Sequence, residues 1–275
     1  MTDEGRLATM QQKASGTLVV ISQVYVPDAM AVGQQLADAA EEMARRGWRV
    51  IVYTSNRVYD DPDIRFPSRE RRGGVEIRRL PLSSFGKTSI PIRLLAQSLF
   101  LGQAILKTLF VPGLTAVLTT TSPPFGGSAG GLLAMLRRCG SVWWVMDINP
   151  DQMVAAGKLG PRSLPVCLFE WLNRFTLAHA RDVVVLDRFK ADRIRGKRDV
   201  GVRMRIIPPW AHEQHLEAIP HAANPFRRKH GLQGNCEIMY SGNAGLSTPL
   251  DTLLVAAKRL EKSRDFTSCL SAAAS

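Results

Sequence analysis

The stretch TLVVISQVYVPDAMAVGQQLADAAEEMARRGWRVIVYT, residues 17–54, decides the fold. It opens on an apolar, β-branched run, TLVVISQ (17–23), which reads as a strand. A helix headed by Gly33 follows, with Leu36, Ala40 and Met43 on one face. Gly47 stands where a helix C-cap glycine belongs, and WRVIVYT (48–54) is a second strand. The same alternation continues outward. GVEIRRL (74–80) reads as a strand after a charged loop, and a helix runs from about Pro91 to Phe110. TAVLTTT (115–121), SVWWVMD (141–147), DVVVLD (182–187) and RMRIIPP (203–209) are further strands, separated by helical segments. Strands alternating with helices predict an α/β protein with a parallel sheet covered on both faces.

Composition narrows the function classes. The 275 residues carry a formal net charge of +12 and 45% hydrophobic residues, which fits a basic globular protein with a sizeable core. The basic residues gather in RFPSRERRGGVEIRR, RFKADRIRGKRDVGVRMR and FRRKH. None of these runs has interleaved aromatics or zinc-finger spacing, so no nucleic-acid partner is expected. A solvated basic face explains each run singly; together they point to an anionic surface nearby. Cys139, Cys167, Cys236 and Cys269 form no C-x-x-C pair, and no metal site or cofactor is expected. The N-terminus lacks the apolar run of a signal peptide, and LLAQSLFLGQAIL is too short to span a bilayer. A cytoplasmic location is expected. The basic-flanked apolar helix over 90–110 is either a core helix or a peripheral contact with an anionic membrane.

In a parallel sheet, functional groups collect at the carboxyl ends of the strands. Here those ends carry Ser22, Gln23, Thr54, Ser55, Thr120 to Ser122, Asp147 to Asn149, Asp187 and Trp210. Asp147 and Asp151, in VMDINPD, are candidate ligand-binding carboxylates, and Asp147 is also a candidate acid–base group. Helix capping is the alternative for Asp151. GGSAGG (126–131) either cradles a phosphate or permits close helix–sheet packing. His212 and His215, in HEQH, lack the spacing of a zinc protease.

Several of these stretches also resemble a known family in order along the chain. The Pro–loop–Gly–helix–RRGWRVIVYT opening, LTTTSPPFGGSAGGLLA, WWVMDINPDQMVAAGKLG, IIPPWAHE and MYSGNAGLSTPLDTLLVAAKRL resemble retaining GT-B glycosyltransferases of family 4. The branch that builds bacterial polysaccharides on lipid-linked acceptors is the most similar. The resemblance implies an acceptor domain over 17–209, a linker over 210–235 and the opening of a nucleotide-sugar domain over 236–266. It implies transfer from a nucleotide-sugar, UDP-linked, to a lipid-linked or glycan acceptor. Asn149, Asp151, Ser122 and Pro124 would meet the acceptor, with Asp147 catalytic. Gly33, Gly242, Asn243 and Gly245 would meet the donor phosphates. A non-catalytic acceptor-binding module, a nucleotide-sugar epimerase and a basic nucleic-acid binder are the alternatives.

Two expectations concern the ends. Residues 1–16 are expected to be disordered. The family pattern runs on into a glycine loop and a Glu-x7-Glu signature where this chain has SAAAS. Thr267 to Ser275 therefore read as frameshifted or otherwise non-native sequence, with a natural disordered tail as the alternative. A chain ending there is expected to be inactive by itself.

Overall fold

The computed structural model describes residues 16–28, 30–58, 61, 63–83, 90–210, 219–232, 236–243, 250–260 and 266–273. The expectation for residues 1–15, like those for Gly245, His212 and His215, lies outside them. The chain divides into two units, Met1–Trp210 and Ala211–Ser275.

The first unit is built on an eight-stranded sheet of order β3-β4-β2-β1-β5-β6-β7-β8. Its strands are β1 (Thr17–Ile21), β2 (Arg49–Ser55), β3 (Arg69–Arg72), β4 (Val75–Leu80), β5 (Leu114–Thr120), β6 (Gly140–Val145), β7 (Asp182–Val185) and β8 (Met204–Ile206). All neighbours pair in parallel except β3, which runs antiparallel to β4. This hairpin corrects the expectation of a charged loop before residue 74. Gly73 and Gly74 lie at φ +54° and +82°, the two left-handed positions of a tight hairpin turn, and Arg72 pairs with Val75 across them.

Side-chain alternation along each strand loads both faces of the sheet. On one face Leu18, Val20, Val50, Val52, Val75 and Ile77 meet Leu36, Ala37 and Ala40 of α1 (Ala31–Arg45). On the other, Val19, Ile21, Ile51, Leu80 and Val117 meet Phe100 and Ala104 of α2 (Ile90–Leu109) and Leu133 of α3 (Gly126–Arg137). Beyond them, Val145, Val183 and Val185 pack with Leu177 and Ile194. Those two residues belong to α5 (Leu164–His179) and α6 (Arg188–Lys197), with the short α4 (Asp151–Ala155) preceding α5. Burial of a side chain such as Leu36 contributes about 2 kcal/mol.

The second unit contains α7 (Pro225–Lys229), β9 (Cys236–Asn243), α8 (Asp251–Leu260) and β10 (Phe266–Ala273). Asn224 caps α7 by accepting from the amides of Phe226 and Arg227, so the polar segment read as a linker carries a helical turn. β9 and β10 pair in parallel from Cys236–Phe266 to Asn243–Ala273. Gly242 and Asn243 are the last rungs of β9, and Thr267 to Ala273, within the stretch read as frameshifted, pair with it as part of β10. Small residues such as Ser and Ala have no side chain that prevents backbone pairing, so the ladder extends through them.

Candidate functional site

α1 lies on one face of the sheet and α3 on the other, so the loops after β1 and β5 diverge at neighbouring strand ends. Such a divergence opens a crevice at the carboxyl edge, the place where open α/β sheets bind ligands. Three prolyl peptides in these loops are cis: Val26–Pro27 after β1, Ser122–Pro123 after β5 and Asn149–Pro150 after β6.

The crevice walls are tied to one another by backbone and hydroxyl groups. The Gln23 amide donates to Ser122 O at 2.8 Å, joining the first two loops. The buried Thr120 hydroxyl lies 3.3 Å from Ser22 Oγ. Thr121 Oγ1 accepts from the amides of Met146 and Asp147, at 3.2 and 3.0 Å, and so fixes the loop after β6 against that after β5. Asp147 is exposed on this clamped loop, and its Oδ1 accepts from Gln152 Nε2 at 3.1 Å. Asn149 is half-buried, with its carbonyl taken by Asn173 Nδ2 at 2.7 Å. Ser122 and Pro124 are half-buried on the loop after β5. The structure thus sets Ser122, Pro124, Asp147 and Asn149 on adjacent loops at one edge.

Asp151 is placed differently. Its carboxylate pairs with Arg193 and Lys197 of α6, and Lys197, itself buried, also pairs with Glu170 of α5. Burial raises the Asp151 pKa, but the hydrogen bonds from Lys197 and Arg193 outweigh it and hold the group below the usual carboxylate value. The group is fastened to the scaffold. It neither caps α4 nor projects from the rim alone. Gly33 is likewise structural in its surroundings. Its amide donates to Met30 O at 2.9 Å, and a Cβ there would stand 3.1 Å from Tyr25 Cα.

The choice left open for GGSAGG falls to packing. A Cβ on Gly126 would collide with the carbonyl oxygen of Thr120. One on Gly127 would lie 2.7 Å from Trp143 Nε1, and one on Gly130 would lie 2.9 Å from Ser141 Oγ. These glycines let α3 settle onto β5 and β6. Sequence reasoning missed Thr121 as a clamp and Gln152 and Asn173 as supports, because each acts across a loop junction. Trp210 was visible as a strand-end residue. It stacks on Trp144 with centroids 5.7 Å apart and donates to Asp38 Oδ2 at 2.8 Å. Among the described residues, no group of His, Cys, Asp and Glu can hold a metal ion, and no helix is long and apolar enough to cross a membrane.

Comparison with known proteins agrees with this architecture. A search of curated proteins gives no match. Sucrose-phosphate synthase from Thermosynechococcus elongatus is 15% identical and superposes with a TM-score of 0.71, over 93% of this chain and 62% of that one. Anabaena HepE, solved with UDP and glucose, is 10% identical with a TM-score of 0.60, over 93% and 61%. Arabidopsis thaliana UGT89C1, solved with UDP, is 17% identical with a TM-score of 0.52, over 94% and 68%. The chain thus spans about three fifths of the length of the first two. At these identities the likeness establishes the fold, the Rossmann-like architecture of GT-B glycosyltransferases. The model of the glycosyl transferase 4-like domain matches residues 31–210, well over half of the chain. The sheet, the helices on both of its faces and the loops at its carboxyl edge fall largely within that match, and the protein belongs to the glycosyl transferase 4-like domain family.

Proposed function

We propose that this protein takes part in sugar transfer from a UDP-linked nucleotide-sugar to a lipid-linked or polysaccharide acceptor, with retention at the anomeric carbon. The first unit holds the acceptor, and the second opens the donor side with Gly242, Asn243 and Gly245. A hexosyl or N-acetylhexosaminyl group is the sugar class, and the acceptor is met at the inner face of the cytoplasmic membrane.

The observation that carries the reading is Asp147, an exposed carboxylate on the loop after β6, held by Thr121 beside the divergence of the loops after β1 and β5. Family membership and relatives solved with UDP support the same chemistry. In the proposed step the bond from the anomeric carbon to the diphosphate breaks, and its electron pair leaves with UDP. The acceptor oxygen forms the new bond on the same face of the sugar from which the diphosphate departs, so the configuration is kept, and its proton passes to the Asp147 carboxylate. Ser122, Pro124 and Asn149 orient the acceptor, while Asp151 supports these loops through its ion pairs with Arg193 and Lys197 and Gly33 through its close packing on Tyr25. The leaving diphosphate is stabilised by fixed donors and positive charge instead of a metal ion.

The test is incubation with a UDP-sugar labelled in the sugar and a bacterial lipid fraction. Label entering the lipid fraction is expected, and it would set aside the expectation that the chain is inactive by itself. Label returning only as an isomerised sugar nucleotide would indicate an epimerase and overturn transfer.

A further inference from the structure

α1 covers one face of β2 and β4, but at the opposite face of this edge the strands line an open groove of about 540 Å³ beside the end of α2. Arg49 and Tyr53 of β2, Arg69 of β3 and Arg78 of β4 line it, together with Lys107 and Phe110 from α2 and the residue after it. Glu76 is the carboxylate paired here. It accepts from Arg49 Nε at 3.0 Å and Arg78 Nη2 at 2.7 Å, and the Arg49 hydrogen bond, foremost, holds it ionised below the usual carboxylate value. Arg69 and Lys107 have no side-chain partner among the described residues. Buried Arg79 is neutralised separately by Glu70. Positive charge therefore exceeds negative charge in this groove.

The rim beside it is apolar. Leu95, Leu106 and Phe110 are exposed by 56%, 59% and 79%, and their spacing puts them on one side of α2, running toward the groove. Leu94 and Ile92 extend the apolar surface toward the start of the helix, with Arg93 exposed between them. Cations beside an exposed apolar helix face match an anionic bilayer: lipid phosphates meet the cations and the apolar side chains enter the acyl boundary. A nucleic acid would use the cations and leave Leu95, Leu106 and Phe110 in water.

We infer that this groove and the adjoining face of α2 form a docking surface for an anionic membrane, which deepens the reading that the acceptor is met at a membrane. Arg69 and Lys107 take the lipid phosphates, and Leu106 and Phe110 enter the interface. Each cation near an anionic surface contributes about five-fold in binding, so the pair contributes about 25-fold.

The test is co-sedimentation of the whole chain with phosphatidylcholine vesicles, with and without phosphatidylglycerol. Neither donor nor acceptor is present, so the outcome is independent of sugar transfer. Wild type is expected to sediment only with phosphatidylglycerol, and Arg69→Ala/Lys107→Ala to bind about 25-fold more weakly. Leu106→Ser/Phe110→Ser should weaken binding without altering net charge. Arg162→Ala/Arg198→Ala, which removes two exposed arginines that do not line the groove, should change binding less than about two-fold. Melting curves of all variants confirm folding. Equal losses in both arginine-containing pairs would reduce the effect to net charge and overturn the inference. So would failure of wild type to bind anionic vesicles, or a groove variant that loses duplex DNA and keeps the vesicles.

Discussion

The crevice above β1, β5 and β6 and the groove against β2 and β4 both present polar groups, but the groups are held in opposite ways. In the crevice, amides and hydroxyls are paired with one another: Gln23 with Ser122, and Thr121 with Met146 and Asp147. What remains exposed is a loop bearing a carboxylate. In the groove, Arg49 and Arg78 share Glu76, while Arg69 and Lys107 face solvent. The first is ordered by packing and hydrogen bonds, as suits positioned chemistry. The second is an electrostatic surface that any matching anion can screen. Substitutions of the paired groups in the crevice should therefore cost stability, and those of the solvent-facing cations in the groove should not.

Gly126→Ala should break the comparison most severely. The new methyl group meets the Thr120 carbonyl, which is backbone and cannot turn aside, so a loss of about 3 kcal/mol is expected in urea unfolding. Thr121→Val removes the acceptor of two amides and should cost about 2 kcal/mol, with faster hydrogen exchange at Met146 and Asp147.

Asp151→Asn should also cost about 2 kcal/mol at neutral pH, because it leaves buried Lys197 with Glu170 alone. Its pH dependence has a definite sign. The folded pKa lies below the ordinary 3.8, so the stabilisation is complete above that value. It is lost as pH falls through the folded pKa. The gap between wild type and variant in unfolding free energy should close in that acid window.

Arg138 follows α3 at φ +50°, where glycine is at ease, so Arg138→Gly should raise stability by up to about 1 kcal/mol in the same assay. The smallest effect belongs to the groove. Arg69→Ala/Lys107→Ala should shift unfolding by less than about 0.5 kcal/mol.

Much of the fold was legible because strand periodicity is a local signal. The runs at 17–23, 48–54 and 115–121 announce themselves by β-branched residues between helical repeats. The β3–β4 hairpin carried a signal too, Gly73–Gly74 between RERR and VEIRRL, but four charged residues obscured a strand whose edge position tolerates charge. Asp147 could be placed from its position after β6. The fate of Asp151 could not, since Arg193 and Lys197 stand 42 and 46 residues further on and reach it only through the packing of α6. The glycines of GGSAGG were ambiguous for the same reason: what a Cβ would strike lies on β5, β6 and α5. Gly245 lies outside the described residues, and the role of Gly242 and Asn243 at the end of β9 rests on the proposed donor side.

The most direct measurement is the initial rate of label transfer from a UDP-sugar into the lipid fraction for wild type and Asp147→Asn. Melting temperature and UDP affinity should be recorded beside it. A carboxylate that takes the acceptor proton predicts a rate at least about 100-fold lower in the variant, with folding and UDP affinity unchanged. Equal rates would contradict the account and place the chemistry away from the loop after β6.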